Sequence, residues 1–309
     1  MGKLIYLDNA THDKRTALTV GTFDGVHQGH QILIGKVVEK AREINGRSVV
    51  VTFNPHPREV LHGGHNKIKL LTTLEERVEI LQGYGIDEMI VIPFDRDFSL
   101  LSSHDFIEKI VFGKIGVQHF IIGYDHQFGK NREGTITTVK KLGKELGFDV
   151  HMVDAQEVEK VTVSSTTVRK ALANEGNVEM AANFLGRPYQ LAGMVIHGDK
   201  KGRQIGYPTA NIKVDNPRKI IPLNGVYAVT VDFENTVYKG MMNIGYRPTV
   251  TDINELRIEV NMFDFNQEIY GKQLKVHFHK RIREEQKFNG IDELKSQLGR
   301  DKENCLSAL

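Results

Sequence analysis

The chain has 309 residues, with 41 Lys and Arg against 39 Asp and Glu, so its formal net charge is +2. A protein that grips a nucleic-acid polymer by phosphate neutralisation usually carries a much larger basic excess or a concentrated basic stripe, and 40% apolar with 26% charged residues excludes a disordered or collagen-like chain. One cysteine, Cys305, excludes an internal disulfide framework and any multi-thiolate metal site.

No apolar run nears the ~18 residues that cross a bilayer, and the opening MGKLIYLDNATHDKR lacks the apolar stretch of a secretory signal. A cytoplasmic protein with no nucleic-acid or membrane partner is expected, with self-association left open. At roughly 150 residues per domain the length predicts two domains.

In chain order, Ala17–Gly21 reads as a short strand, and Gln31–Ile44 as a helix with Ile32, Leu33, Val37, Ala41 and Ile44 at helical spacing. Ser48–Phe53 reads as a strand buried on both faces, because it is an unbroken apolar run rich in β-branched residues. Leu74–Leu81, Asp105–Phe112 and Ile136–Leu146 follow as helices, alternating with strands at Met89–Ile92, Phe120–Ile122 and Val150–Val153. Five strands separated by helices predict a doubly wound parallel five-stranded sheet of Rossmann-like type with right-handed crossovers. Two more helices are expected at Thr166–Asn174 and Val178–Leu185.

After Gly186 the period shortens. Leu191–Ile196, Val226–Phe233, Val237–Ile244, Leu256–Phe263 and Leu274–Ile282 read as strands, with reversals at Glu234-Asn235 and Gln267–Gly271 and a final helix at Ile291–Leu298. Strands without intervening helices predict an antiparallel sandwich or small barrel. The expected domains are 1–185 and 186–309.

Two segments carry chemistry. Gly21-Thr-Phe-Asp-Gly-Val-His-Gln-Gly-His30 lies between the first strand and the first helix, where ligands bind in an open α/β sheet. Gly21, Gly25 and Gly29 admit close approach of a ligand, and His27 and His30 share one helical face. Free amides and the positive dipole end favour an anion there, and two imidazoles suit charge that builds on phosphate oxygens. The plainer alternative is one capping and one surface histidine. Phe53-Asn54-Pro55-His56-Pro57 ends the second buried strand in a rigid turn, presenting an aromatic ring and an amide to a planar ligand. Asp125 follows the fourth strand and could accept from a ribose hydroxyl or position a metal, or be an ordinary turn aspartate. Ser164 and Thr166 sit at a helix start with Arg169 one turn in, a combination that grips phosphates.

The second segment is Gly198-Asp-Lys-Lys-Gly-Arg-Gln-Ile-Gly-Tyr-Pro-Thr-Ala-Asn211, in which Lys200 and Arg203 interleave with Gly198, Gly202 and Gly206. Such a loop can wrap phosphates with backbone N–H groups, although no Walker A pattern occurs in the chain. Thr209 and Asn211 are two apart, so in an extended segment their oxygens face one way and suit Mg²⁺. Glu259 lies on the polar face of its strand with Arg257 and Asn261. It is a candidate base, or otherwise a solvated partner of Arg257.

The first segment resembles the signature of the H-x-G-H nucleotidyltransferases. With Phe53–Pro57, Gly123–Gly129 and Ser164–Arg169 it is similar to the flavin-adenylylating module of the prokaryotic bifunctional riboflavin kinase/FAD synthetase family. Gly202-Arg-x-x-Gly-x-Pro-Thr-Ala-Asn211, Asn243-Ile-Gly-x-x-Pro-Thr249, Glu259, Tyr270-Gly271 and Arg283-Glu-x-x-x-Phe288 resemble the same family's riboflavin kinase module. Thr22 and His126-Gln127 depart from the first pattern, and Asn261 stands where the second often has His.

The resemblance implies phosphorylation of riboflavin by ATP to FMN, then adenylylation of FMN to FAD with release of pyrophosphate. It implies a six-stranded barrel with a helical tail for the kinase. It gives His27 and His30 the charge-stabilising role, Glu259 the role of base, Thr209 and Asn211 the Mg²⁺, and Arg283 a place near the flavin. Gly21, Phe23, Asp24, Gly29, Asp125, Ser164, Thr166 and Arg169 would hold the adenylylation ATP, and Phe53, Asn54, Pro55, His56 and Pro57 its flavin. Gly198, Lys200, Gly202, Arg203 and Gly206 would join Thr209 and Asn211 around the kinase ATP.

Overall fold

The computed structural model describes residues 3–61, 67–124, 127–130, 133–153, 164–198, 201–247 and 255–309. Contacts within the chain divide it into two compact units, 1–165 and 166–309.

In the first unit the strands are β1 (Lys3–Tyr6), β2 (Thr16–Val20), β3 (Arg47–Asn54), β4 (Glu88–Pro93), β5 (His119–Gly123) and β6 (Asp149–Val153). They form one sheet in the order β1-β4-β3-β2-β5-β6, and every pair is parallel. The longer helices among the described residues are α1 (Gln28–Glu43), α2 (Leu74–Gly83), α3 (103–115) and α4 (Ile136–Leu146). Val49, Val50 and Val51 are all fully buried, because alternate residues of β3 enter different layers. Val49 and Val51 pack with Val111 of α3 and Val139 of α4. Val50 packs with Ile34 and Val37 of α1 and Ile80 of α2. Both faces being covered is why the strand reads as a continuous apolar run.

The expected five strands are corrected to six. β1 has only four residues, half-exposed on the outer edge of β4, too short and too solvated to show a period. Chain order reverses across β2, since β3 lies on one side of it and β5 on the other. The carboxyl end of β2 is therefore the topological switch point, where a crevice opens.

The second unit begins at Thr166, within the helical stretch α5 (Ser165–Lys170), which continues through Glu175, and goes on with α6 (Val178–Leu185). Then come β7 (Tyr189–Ile196), β8 (Ala210–Lys213), β9 (Gly225–Phe233), β10 (Thr236–Arg247), β11 (Glu255–Met262), β12 (Gln273–Arg283) and α7 (Ile291–Ala308). The strands close into an antiparallel barrel in the order β10-β11-β8-β7-β12-β9, which settles the choice between sandwich and barrel. The reversal at Glu234-Asn235 has positive φ at both residues, 47° and 65°, as a two-residue hairpin turn of matching twist requires. β8 falls on the Pro-Thr-Ala-Asn segment. Its four residues are held by ladders to β7 and β11, not by a pattern of their own. Twice along β12, between Phe278 and Lys280 and between Arg281 and Arg283, the register with β9 shifts. Such bulges re-aim the side chains that follow. α7 runs ten residues beyond its expected end at Leu298, through polar positions at which the apolar spacing lapses.

Candidate functional sites

At the end of β2 the backbone makes a strained turn. Phe23 and Val26 have φ of 46° and 45°, Gly25 has 85°, and a β-branched residue such as Val26 takes such a value only when its surroundings force it. Those surroundings are visible. Phe23 and Val26 are buried, and the Val26 amide donates to the Phe23 carbonyl at 3.1 Å. The Gly25 amide donates to Thr72 Oγ1 at 3.0 Å. The Asp24 carboxylate, 1% exposed, accepts from the amides of Leu71 at 3.0 Å and Thr72 at 2.9 Å and from the Thr72 hydroxyl at 3.1 Å. Arg77 Nη2 lies 3.4 Å from the same carboxylate, and the Arg77 guanidinium also donates to Thr52 Oγ1 and the Thr72 carbonyl. Ser165 Oγ donates to the Asp24 carbonyl at 2.9 Å. Asp24 thus ties this turn to α2 and the segment before it.

The turn delivers two imidazoles. His27 is the residue before α1, and its carbonyl accepts from the amides of His30 and Gln31 at 2.8 and 3.1 Å. Its side chain makes no cap bond, so the capping alternative does not hold. Instead its ring stacks on that of His30 with centroids 3.6 Å apart and planes 18° from parallel, and the Phe23 ring tilts against His30 at 4.9 Å. Burial, with His27 and Arg77 nearby, holds the His30 imidazole well below the usual histidine range. It is neutral at pH 7 and carries one N–H to give to an oxygen. His30 Nδ1 is buried with no hydrogen-bond partner among the described residues. Gly29 is buried in the first turn of α1.

Phe53 ends β3 with its ring in an aromatic wall, 5.5 Å from Phe94, 6.0 Å from Phe98 and 6.5 Å from Phe106. The Asn54–Pro55 peptide is cis, and His56 Nδ1 accepts from the Arg58 amide at 3.2 Å beside Pro57. Phe94 and Phe98 carried no sequence signal, since both lie in the short Phe94-Asp-Arg-Asp-Phe98 stretch just past β4, where no period marks them. Ser164 is exposed at the start of α5, and Thr166 and Arg169 follow on that helix. Asp125 and His126 of the first unit, and Lys200, Pro248 and Thr249 of the second, lie outside the described residues.

The barrel holds a cavity of about 350 Å³ whose lining includes Gly202, Thr209, Asn243, Glu259, Asn261 and Arg283. The ladder explains the grouping. Glu259 of β11 pairs in register with Asn211 of β8 on one side and Asn243 of β10 on the other, so three polar side chains stand abreast. Arg257 Nη2 donates to Glu255 at 3.2 Å. Buried Asn261 donates through Nδ2 to the Pro208 carbonyl at 2.6 Å, which fixes the residue before Thr209. A Cβ on Gly198 would fall 2.1 Å from Asn211 Nδ2, so only glycine lets that strand end lie over the amide. Gly202 accepts the Tyr207 amide through its carbonyl at 2.9 Å, curling the loop that carries exposed Arg203 and ends at Gly206, φ 86°.

Arg283, at the second bulge of β12, donates from Nε and Nη2 to Asp301 of α7 at 2.9 and 2.7 Å. Asp301 is fully buried and also accepts from Gln297 at 2.8 Å. Sequence reasoning found Arg283 but not Asp301, because nothing local marks a carboxylate in the middle of a polar helix as a buried one.

The model of the FAD synthetase family matches residues 9–167 and that of the riboflavin kinase family residues 185–309. The bifunctional riboflavin kinase/FMN adenylyltransferase of Bacillus subtilis is 41% identical over 94% of this chain and 92% of its own. Its counterpart in Escherichia coli K12 is 39% identical over 92% and 90%. A crystal structure described as a macrolide-efflux protein from Streptococcus pneumoniae is 34% identical, covers 97% of both chains and superposes with a TM-score of 0.87. No helix among the described residues of this chain is long and apolar enough to cross a membrane. With both family models matched in order along one polypeptide, the chain belongs to the bifunctional riboflavin kinase/FMN adenylyltransferase family, making FMN from riboflavin and FAD from FMN.

Proposed function

We propose that residues 186–309 make FMN and residues 1–185 convert it to FAD, each with its own ATP. The observation that carries this division is the register that seats Glu259 between Asn211 and Asn243 on the wall of the barrel cavity. There the primary hydroxyl of the riboflavin side chain attacks the γ-phosphorus of ATP while Glu259 takes its proton. The bond from γ-phosphorus to its bridging oxygen breaks and ADP leaves.

Thr209, just before β8, and Asn211 within it offer two neutral oxygens, a donor set that fits Mg²⁺ with its retained waters and nucleotide phosphates. Bound there, the ion would neutralise phosphate charge. Gly198, Lys200, Gly202, Arg203 and Gly206 wrap the phosphates, and Arg283 meets the flavin with its fork already oriented by Asp301.

In the second reaction a phosphate oxygen of FMN attacks the α-phosphorus of ATP and pyrophosphate leaves. His27 and His30 give N–H hydrogen bonds to the oxygens that gain charge, at the positive dipole end of α1. Neither imidazole forms a covalent bond. Gly21, Phe23 and Gly29 shape the nucleotide site and Asp24 positions it through the backbone. Asp125, Ser164, Thr166 and Arg169 complete the nucleotide contacts. The flavin lies along Phe53 and the turn Asn54, Pro55, His56 and Pro57. The partners are these small molecules, in the cytoplasm, with no nucleic acid; self-association is compatible with either site.

The test is a pair of variants of the full chain, each assayed on riboflavin and on FMN with ATP and Mg²⁺. Glu259→Gln should lower FMN formation by about 10²–10⁴-fold and leave FMN-to-FAD conversion intact. His30→Ala should do the reverse, by about 10²–10³-fold. Wild-type riboflavin phosphorylation by Glu259→Gln would remove Glu259 from the mechanism.

A further inference from the structure

The geometry points to a second, separate ligand site in this protein: a divalent transition-metal site, of zinc type, formed by His119, Asp149 and His151 at the end of the parallel sheet opposite the strained turn. His119 and Asp149 are the first residues of β5 and β6 and pair in register, while His151 is two positions along β6. All three therefore project from one face of the sheet. His119 Nδ1 lies 3.0 Å from His151 Nε2 and 3.4 Å from Asp149 Oδ2, and one ligand atom from each residue falls within 4.8 Å of the others. Four ligands held tetrahedrally at 2.0–2.1 Å from zinc stand about 3.3–3.4 Å apart. The separations of 3.0 and 3.4 Å lie close to that edge.

Protons alone serve this triangle poorly. His119 Nδ1 carries either a hydrogen or a lone pair. With a hydrogen it can donate well to Asp149 or to His151, but not to both. With a lone pair it can accept from His151 while facing the carboxylate oxygen without a hydrogen between them. A cation at the centre would take a lone pair from each of the three. Two imidazoles and one carboxylate are a borderline donor set that suits Zn²⁺ over Mg²⁺ or Ca²⁺. His119 is buried whereas the Asp149 side chain is 72% exposed, so an ion has a route in and a fourth position open to water. The charged groups of α1 that influence the cluster are Lys36, Lys40 and Glu43. Each lysine is already paired, Lys36 with Glu39 and Lys40 with Glu43, both at 2.6 Å, so their repulsion of a cation is largely neutralised. An ion here would pin the edge strand β6 to β5 and would touch neither reaction.

The experiment is calorimetric titration of the full, chelator-treated chain with zinc chloride, repeated on His151→Gln, Asp149→Asn and, to report on the stacked imidazole pair at the start of α1, His27→Gln. One equivalent is expected, with affinity reduced at least tenfold by His151→Gln and by Asp149→Asn but unchanged by His27→Gln. Zinc at a hundredfold excess over its Kd should raise the melting temperature of the first unit by roughly 5–10 °C. Asp149 is exposed, so Asp149→Asn keeps the test valid if His151→Gln does not fold. Cobalt in place of zinc should give visible tetrahedral bands that Asp149→Asn shifts. Absence of stoichiometric zinc binding, or an affinity lost with His27→Gln and kept in the other two variants, overturns the site.

Discussion

Replacing Asp24 by Asn keeps the side chain's shape and removes its charge. In the native turn one carboxylate oxygen accepts from the Leu71 amide and the other from the Thr72 amide. In Asn one of those oxygens becomes an N–H₂ group facing a donor, and an unsatisfied buried donor costs about 1–3 kcal/mol. Arg77, 4% exposed, keeps its charge and loses the carboxylate against it, and removing one member of a buried ion pair costs about 3–5 kcal/mol. The two effects share one network and do not add, so the larger is the working figure. It corresponds to a fall of roughly 6–20 °C in the first unit's melting temperature. Scanning calorimetry of the full chain reads that shift, and parallel assays read the two reactions. FAD formation should fall with the loss of the strap that holds Phe23 and Val26 at positive φ, while FMN formation from riboflavin should persist because its residues lie in the other unit. A second change, Arg77→Met, made in the Asp24→Asn background should recover part of the lost stability by removing the stranded charge. An Asp24→Asn protein with unaltered melting and unaltered FAD formation would refute the reasoning.

Other outcomes follow from the same contacts. His30 has a folded-state pKa below its unfolded value of about 6.5, so on acidification the unfolded chain takes up a proton first. Its contribution to stability is complete above pH 6.5 and is lost below it, by at most about 1.4 kcal/mol per pH unit. His151, also lowered by burial and by His119, acts in the same direction. His30→Asn should therefore flatten, without abolishing, the acid limb of a stability–pH curve measured by denaturant titration. Asp301→Asn should free the Arg283 fork and raise the KM for riboflavin about tenfold or more, with FMN adenylylation unchanged, as steady-state assays on each substrate will show. Asn261→Ala removes the hydrogen bond to the Pro208 carbonyl, worth about 1 kcal/mol. The expected result is a several-fold rise in KM for ATP in the kinase reaction alone.

Much of this protein is legible along the chain because its signals are local. A run such as Val49-Val50-Val51 can only be a strand covered on both faces, and the change of period after Gly186 separates a helix-covered sheet from a barrel. The spacing of His27 and His30 places two rings on one helical face, and that of Thr209 and Asn211 places two oxygens on one side of a strand. Alternation in β11 puts Glu259 on a polar face without saying what stands beside it. Tertiary structure decided the partners. Asp24 finds Thr72 and Arg77 from 48 and 53 positions away, and Arg283 finds Asp301 across the gap between a bulged strand and the last helix. The aromatic wall around Phe53, the neighbours of Glu259 and the His119–Asp149–His151 triangle arise the same way. Periodicity records which face a residue occupies, since that depends on backbone geometry repeated every two or 3.6 residues. Which distant face it meets depends on strand order and register, and those are settled only when the whole sheet and barrel close.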